Sequence, residues 1–170
     1  TDTNIVASLD EEVKHIENYL NFMKMRYEDN LNIEFISKGD LGKVKLSRQS
    51  LQPIVENSFI HGFYQVKPPY NLEFSCIVDD KRLSVNVIDN GGGIKKERLE
   101  IILSKLQSID EIILKSRDAA LLKTDEMALI NIYIRLKLEY KDDLTFIIKN
   151  NANRKGATVK ISAPIPEDSI

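Results

Sequence analysis

The stretch that most constrains the fold is Val87-Ile88-Asp89-Asn90-Gly91-Gly92-Gly93-Ile94. Leu83, Val85 and Val87 alternate with polar residues, which predicts a β-strand, and that alternation ends on the Asp89 carboxylate. Strand side chains alternate between faces, so Asp89 points to the same side as the three apolar residues. A carboxylate aimed at a buried face costs free energy unless donors reach it. The glycines that follow let the backbone approach a ligand closely or take a positive φ. Two readings fit the octapeptide: a strand ending in a tight turn, or one wall of a ligand site.

The rest of the chain can support either. Its 170 residues, 42% hydrophobic and 29% charged, suit one domain with a real core. The net charge is −2 and the cations are dispersed, so no basic field invites a nucleic-acid partner. The one cysteine, Cys76, lies in a predicted strand, cannot form an internal disulfide, fits a reducing compartment and reads as a small buried hydrophobe. No apolar run is long enough to span a bilayer, and no signal peptide is evident.

Along the chain, Leu9, Val13, Ile16, Leu20, Met23 and Tyr27 form an apolar seam on a helix that ends near Asp29-Asn30. Ser8 and Glu11 form a capping box at its start. The seam packs on its own domain or on a partner helix. Leu31, Ile33 and Phe35 predict a strand, and Ser37 to Leu46 a loop with a short helical turn. Ser47 to Phe63 predicts a second helix, with Pro53 tolerated only in a first turn or at a kink. Strands at Leu72 to Val78 and Leu83 to Ile88 make a hairpin. Helical patterns cover Lys96 to Gln107, Ile109 to Asp125 and Met127 to Tyr140; strands follow at Leu144 to Ile148 and Ala157 to Ala163. Hairpin-linked strands with helices between them imply an α+β two-layer sandwich.

Three stretches carry the chemistry: Leu51-Gln52-Pro53-Ile54-Val55-Glu56-Asn57-Ser58-Phe59-Ile60-His61-Gly62, Asp89-Asn90-Gly91-Gly92-Gly93-Ile94, and Gly156-Ala157-Thr158-Val159-Lys160-Ile161. In this order and spacing the chain resembles the ATP-binding catalytic domain shared by sensor histidine kinases, gyrase-type topoisomerases and Hsp90 chaperones, and within it the YesM-like sensor kinases. The resemblance implies a mixed, mostly antiparallel sheet covered on one face by helices. It makes residues 1–29 a linker helix, with its Leu9-Asp10-Glu11-Glu12, Tyr19-Leu20 and Arg26, and residues 30–166 the ATP-binding domain. It implies that Asn57 offers its amide oxygen to Mg²⁺, which bridges the phosphates of ATP and needs few protein ligands. By the same resemblance Asp89 accepts from the adenine amino group, Gly91 and Gly93 let the main chain pass the nucleotide, Thr158 helps bind adenine, and His61 sits near the phosphates.

The related ATPases carry a water-activating glutamate one turn before the asparagine; here Pro53 stands there. Glu56 adjoins Asn57 but lies about 100° around a helix. That favours phosphoryl transfer to a protein histidine over hydrolysis. Two features depart from the family. Its Gly-x-Gly-Leu motif is replaced by Glu126-Met127-Ala128-Leu129, and the usual lysine after Phe59 is Ile60. Charge-assisted hydrogen bonds contribute roughly 1.5–3 kcal/mol each, so these losses weaken phosphate binding. The phospho-acceptor histidine belongs upstream of Thr1, and His15 lacks its pattern. The expectation is the cytoplasmic catalytic domain of a membrane-bound, homodimeric two-component receptor, with the receptor's own acceptor helix and a response regulator as partners. The alternative is a kinase-like scaffold that has lost productive ATP binding. The segment from Lys95 to Asp125 is expected to form the lid. A metal triad of Asp89, Glu56 and His61 is disfavoured because no histidine or cysteine pair accompanies it, and Ser58 lacks a nucleophile-elbow setting. For Asn57 and His61 alone, the plain alternative is a polar edge on an amphipathic helix. Lys95-Lys96 reads as a solvated helix start.

Overall fold

The apolar alternations assemble into one five-stranded sheet in the computed structural model, which describes residues 6–116 and 127–165. The elements run β1 (Val6–Ser8), α1 (Leu9–Tyr27), β2 (Leu31–Lys38), β3 (Lys45–Ser47), α2 (Gln52–Asn57), β4 (Tyr70–Val78), β5 (Arg82–Asp89), α3 (Lys96–Ser116), α4 (Ala128–Tyr140), β6 (Thr145–Asn150) and β7 (Ala157–Pro164). The large sheet has the order β2-β4-β5-β7-β6. β2 and β4 are parallel, joined across β3 and α2, and the other pairs are antiparallel. The expected α+β architecture with a mixed, mostly antiparallel sheet is present.

The period-2 pattern sets the faces. Leu83, Val85, Val87 and Asp89 of β5 are buried, alongside Leu72, Phe74 and Cys76 of β4 and Ile161 and Ala163 of β7. α1, α2 and α4 supply the facing layer through Ile16, Leu20, Ile54, Val55, Ile132 and Leu136. The opposite face is polar and half-exposed: the Asn86 amide donates to Ser75 Oγ, Arg82 Nε donates to Ser162 Oγ, and Arg154 pairs with Glu73.

α1 starts as expected. Ser8 Oγ accepts from Glu11 N–H and the Glu11 carboxylate accepts from Ser8 N–H, so two donors that the first helical turn cannot satisfy are paired. Its seam is buried within this chain, against β2, α2 and the turn at Leu41–Lys43. The 29/30 position of the expected linker boundary falls inside a 3₁₀ turn, Glu28–Asn30. Five rings then join α1 to the end of α2 and the start of β4. Tyr19 and Tyr27 meet Phe59 at 5.7 and 5.8 Å, Phe59 meets Phe63 at 5.4 Å, and Tyr70 meets Phe63 at 4.9 Å.

The structure differs from the sequence reading in three places. The second helix begins at Gln52, not Ser47, because Pro53 occupies its first turn, where the missing N–H costs nothing. Its continuation, Ser58–Gly62, is a π turn. Within the stretch read as loop, β3 pairs antiparallel with β1. α3 runs on unbroken to Ser116, and positions 117–125 of the expected lid, together with Glu126, lie outside the described residues. Among the described residues no helix is long and apolar enough to cross a membrane.

If α1 belongs to the cooperative unit, Ile16→Ala, at a fully buried position, should lower the unfolding free energy by about 2–5 kcal/mol. Urea denaturation should keep one transition. An unchanged midpoint, or a separate early transition for α1, would contradict this packing.

Candidate functional site

β5 delivers Asp89 to the helix-facing side of the sheet, where it is 7% exposed. Its carboxylate is held from three elements. Oδ1 accepts from Gly91 N–H at 2.8 Å and Ala157 N–H at 3.3 Å, and Oδ2 accepts from the Ser58 hydroxyl at 3.1 Å. Burial raises its pKa above the ordinary carboxylate value, and the hydrogen bonds from Gly91, Ser58 and Ala157 and the charge of Arg154 oppose that rise. A carboxylate oxygen has more than one acceptor direction, so Oδ2 with a single donor retains capacity for a ligand N–H.

The π turn approaches this carboxylate through glycines. A Cβ on Gly62 would stand 3.2 Å from Asp89 Oδ1, and one on Gly91 would stand 2.1 Å from the Gly62 carbonyl oxygen. That oxygen accepts from Gly92 N–H at 2.7 Å, which pins the glycine turn to α2. On the other side the Asn150 amide both accepts from Ile94 N–H and donates to Ile94 O, at 2.7 and 2.8 Å. Asn151 donates to the Asp89 carbonyl at 2.9 Å.

These elements enclose a cavity of about 510 Å³, a size suited to a small organic ligand. Val87, Val159, Ile54, Ile102 and Leu129 give it apolar walls. Asn57, His61, Asp89, Gly93 and Leu129, five of the residues singled out from sequence, line it together. Asn57 has no hydrogen-bond partner for its amide among the described residues. One free amide oxygen fits Mg²⁺, which needs few protein ligands.

Two of the singled-out residues sit elsewhere. Thr158 is one residue out of phase: Ala157 and Val159 line the cavity, while the Thr158 hydroxyl donates to Asn151 Oδ1 at 2.6 Å. Gly91 abuts Gly62 behind the cavity wall. Glu56 is turned away from the cavity and accepts from the Gln52 amide at 2.8 Å. Neither Glu56 nor Pro53 lines it.

Sequence reasoning missed Ser58, Lys95 and Arg98. Ser58 was weighed above only as a nucleophile, although a hydroxyl on a helix facing the core already implied a partner across the interface. Lys96 is a solvated helix start, as read, and pairs with Glu100, but Lys95 and Arg98 line the cavity beside His61. Desolvation and the Arg98 charge push the His61 pKa below its ordinary value, leaving the imidazole neutral at pH 7. The cavity therefore has a carboxylate pole near Ser58 and a cationic pole at the start of α3.

The raised Asp89 pKa has a signed consequence. The folded state holds this proton more tightly than the unfolded chain, so the residue's contribution favours folding below its unfolded value of about 3.9 and declines as pH rises through the native value. Relative to wild type, Asp89→Asn should gain stability across that window. Urea unfolding from pH 3 to pH 7 measures it, and a pH-independent difference would contradict the burial argument.

No protein-family model matches the chain. The sensor protein LytS of Bacillus cereus is 24% identical over 162 residues, 92% of this chain and 27% of that protein. LytS of Streptococcus agalactiae is 28% identical over 163 residues, 95% of this chain and 26% of that protein. The sensor histidine kinase BtsS of Escherichia coli is 29% identical over 86 residues, 51% of this chain and 15% of that protein. The chain thus spans roughly a quarter of the length of the LytS proteins. Among solved structures, the nucleotide-free catalytic domain of histidine kinase ThkA superposes with TM-score 0.52 at 13% identity, covering 94% of this chain and 95% of that one. Histidine kinase AdeS of Acinetobacter baumannii gives TM-score 0.56 at 13% identity, covering 95% of this chain and 67% of that one. The fold is that of a histidine kinase catalytic domain, and the relatives named here are sensor proteins, BtsS among them a sensor histidine kinase.

Proposed function

We propose that this chain binds ATP with Mg²⁺ and presents the γ-phosphoryl group to a histidine outside the chain. The observation that carries this reading is the meeting of an unpartnered Asn57 amide and the Asp89 carboxylate in one cavity. Asp89 Oδ2 accepts from the adenine amino group while Gly91, Ala157 and Ser58 hold the carboxylate in place. The apolar walls clasp the base. Asn57 would supply the protein oxygen to Mg²⁺, whose charge would offset that of the phosphates; in the transfer itself the phosphorus–oxygen bond to ADP breaks as the bond to the incoming imidazole nitrogen forms.

The missing base supports transfer over hydrolysis. Pro53 stands where related ATPases activate water, and Glu56 is turned to Gln52. Loss of the family's lysine and glycine motif is offset by cations from another element: Lys95 and Arg98 line the cavity, and among the described residues neither lies within 4 Å of a carboxylate. In this reading residues 1–29 form the arm toward the acceptor helix of the same receptor, residues 30–166 hold the nucleotide, a response regulator receives the phosphoryl group, and the receptor is a homodimer in the membrane with this domain in the cytoplasm. A scaffold reading draws support from Met127 and Ala128, which line the cavity where the family has its glycine motif.

Calorimetric titration with ATP and Mg²⁺ separates the two. The kinase reading expects binding that Asp89→Asn weakens about tenfold or more, with or without Mg²⁺, equivalent to at least ~1.4 kcal/mol. Asn57→Ala should weaken only the Mg²⁺-dependent part. No binding at millimolar ATP would favour the scaffold. Arg98→Gln should weaken ATP several-fold while sparing adenosine; equal effects on both would remove Arg98 from the phosphate pole.

A further inference from the structure

Glu12 is a carboxylate buried far from the cavity, 4% exposed, on the seam side of α1. It pairs with no cation within 4 Å among the described residues. Instead it accepts three backbone N–H groups from the approach to α2: Gln49 at 2.7 Å on Oε1, and Ser50 at 3.1 Å and Leu51 at 3.4 Å on Oε2. The last of these belongs to the start of α2, whose N-cap, Leu51, has no side chain able to cap; the other two lie in the turn just before it. The same turn is gripped from α4, where Arg135 donates to the Arg48 carbonyl at 3.1 Å, and Gln49 takes a positive φ of 56° within it. A side chain on one helix thus holds the turn that leads into another.

What α2 carries gives this contact a role beyond packing. Five residues after Gln52 comes Asn57, then Ser58 on Asp89, then His61 and Gly62 at the cavity. A helix this short is fixed by its contacts rather than by its own hydrogen bonds, so its two ends, with Ile54 and Val55 packed in the core between them, decide where those side chains point. The far end is set by the Gly62–Gly92 hydrogen bond and the ring cluster around Phe59; the near end is set by Glu12.

We propose that Glu12 is a positioning residue for the nucleotide site: its hydrogen bonds to the 49–51 backbone aim α2 so that the Asn57 amide reaches the metal-bridged phosphates. This rests on the nucleotide reading above. The test uses the full 170-residue chain and measures the ratio of ATP affinity with Mg²⁺ to that in chelator, at a temperature where circular dichroism reports each variant folded. Glu12→Gln keeps the shape but turns an amide N–H₂ toward backbone donors. It should reduce the Mg²⁺-dependent ratio about tenfold, toward that of Asn57→Ala. Because Glu12 acts through Asn57, the double variant should have the same ratio as Asn57→Ala alone. Glu12→Asp, which retains charge one methylene shorter, should give an intermediate ratio, and it carries the test if the glutamine variant does not fold.

A merely stabilising role predicts a lower melting temperature with the ratio unchanged; that result, or losses that multiply in the double variant, would overturn the proposal while leaving the nucleotide site intact. Wild-type protein that binds no ATP at all would overturn the nucleotide reading and this inference together.

Discussion

The arrangement of the site depends on burying one carboxylate. Asp89 lies on the core-facing side of a central strand, and an unpaired charge there would be expensive. Donors from three elements meet that cost: Gly91 from the turn after β5, Ala157 from β7 and Ser58 from the helical segment that starts at α2. Each donor also places an element. The Ser58 bond and the Gly62–Gly91 approach draw α2 onto the end of β5, and the Ala157 bond holds the start of β7 beside it. The same geometry that satisfies the carboxylate leaves an open acceptor facing a cavity.

Much of this was readable from residues. The alternation through Leu83, Val85 and Val87 placed Asp89 on the buried face, and the Ser8–Glu11 spacing placed the start of α1, because both rest on local periodicity or local hydrogen bonds. What could not be read was set by distant partners. β1 and β3 are three residues each and form only because they meet each other. Pro53 announced a helix start but not what holds the turn before it; that hold comes from Glu12, some forty positions earlier. Lys95 and Lys96 are neighbours of the same type, yet one faces the cavity and the other solvent, a difference set by where α3 packs. The one-residue offset at Ala157 and Thr158 has the same origin: strand phase follows register with β5, and Val159 opposite Val87 turns Thr158 to the far face.

The chain's departures from the family pattern form a consistent shift of charge. The lysine and glycine positions that usually meet phosphates hold Ile60, which is exposed, and Ala128. Positive charge at the cavity comes instead from the start of α3, beside a histidine whose pKa is held below its ordinary value. The neighbouring carboxylate, Glu56, is turned to Gln52 and withdrawn from that pole.

The most direct measurement of the central claim is a backbone amide NMR titration with a non-hydrolysable ATP analogue and Mg²⁺. Asp89 as the base acceptor predicts the largest shift changes at the amides of Gly91 and Ala157, which donate to its carboxylate, and along Asn57 to Gly62. Changes confined to other surfaces, such as the groove between α1 and β2 near Lys24 and Asn32, with Gly91 and Ala157 unmoved, would contradict it.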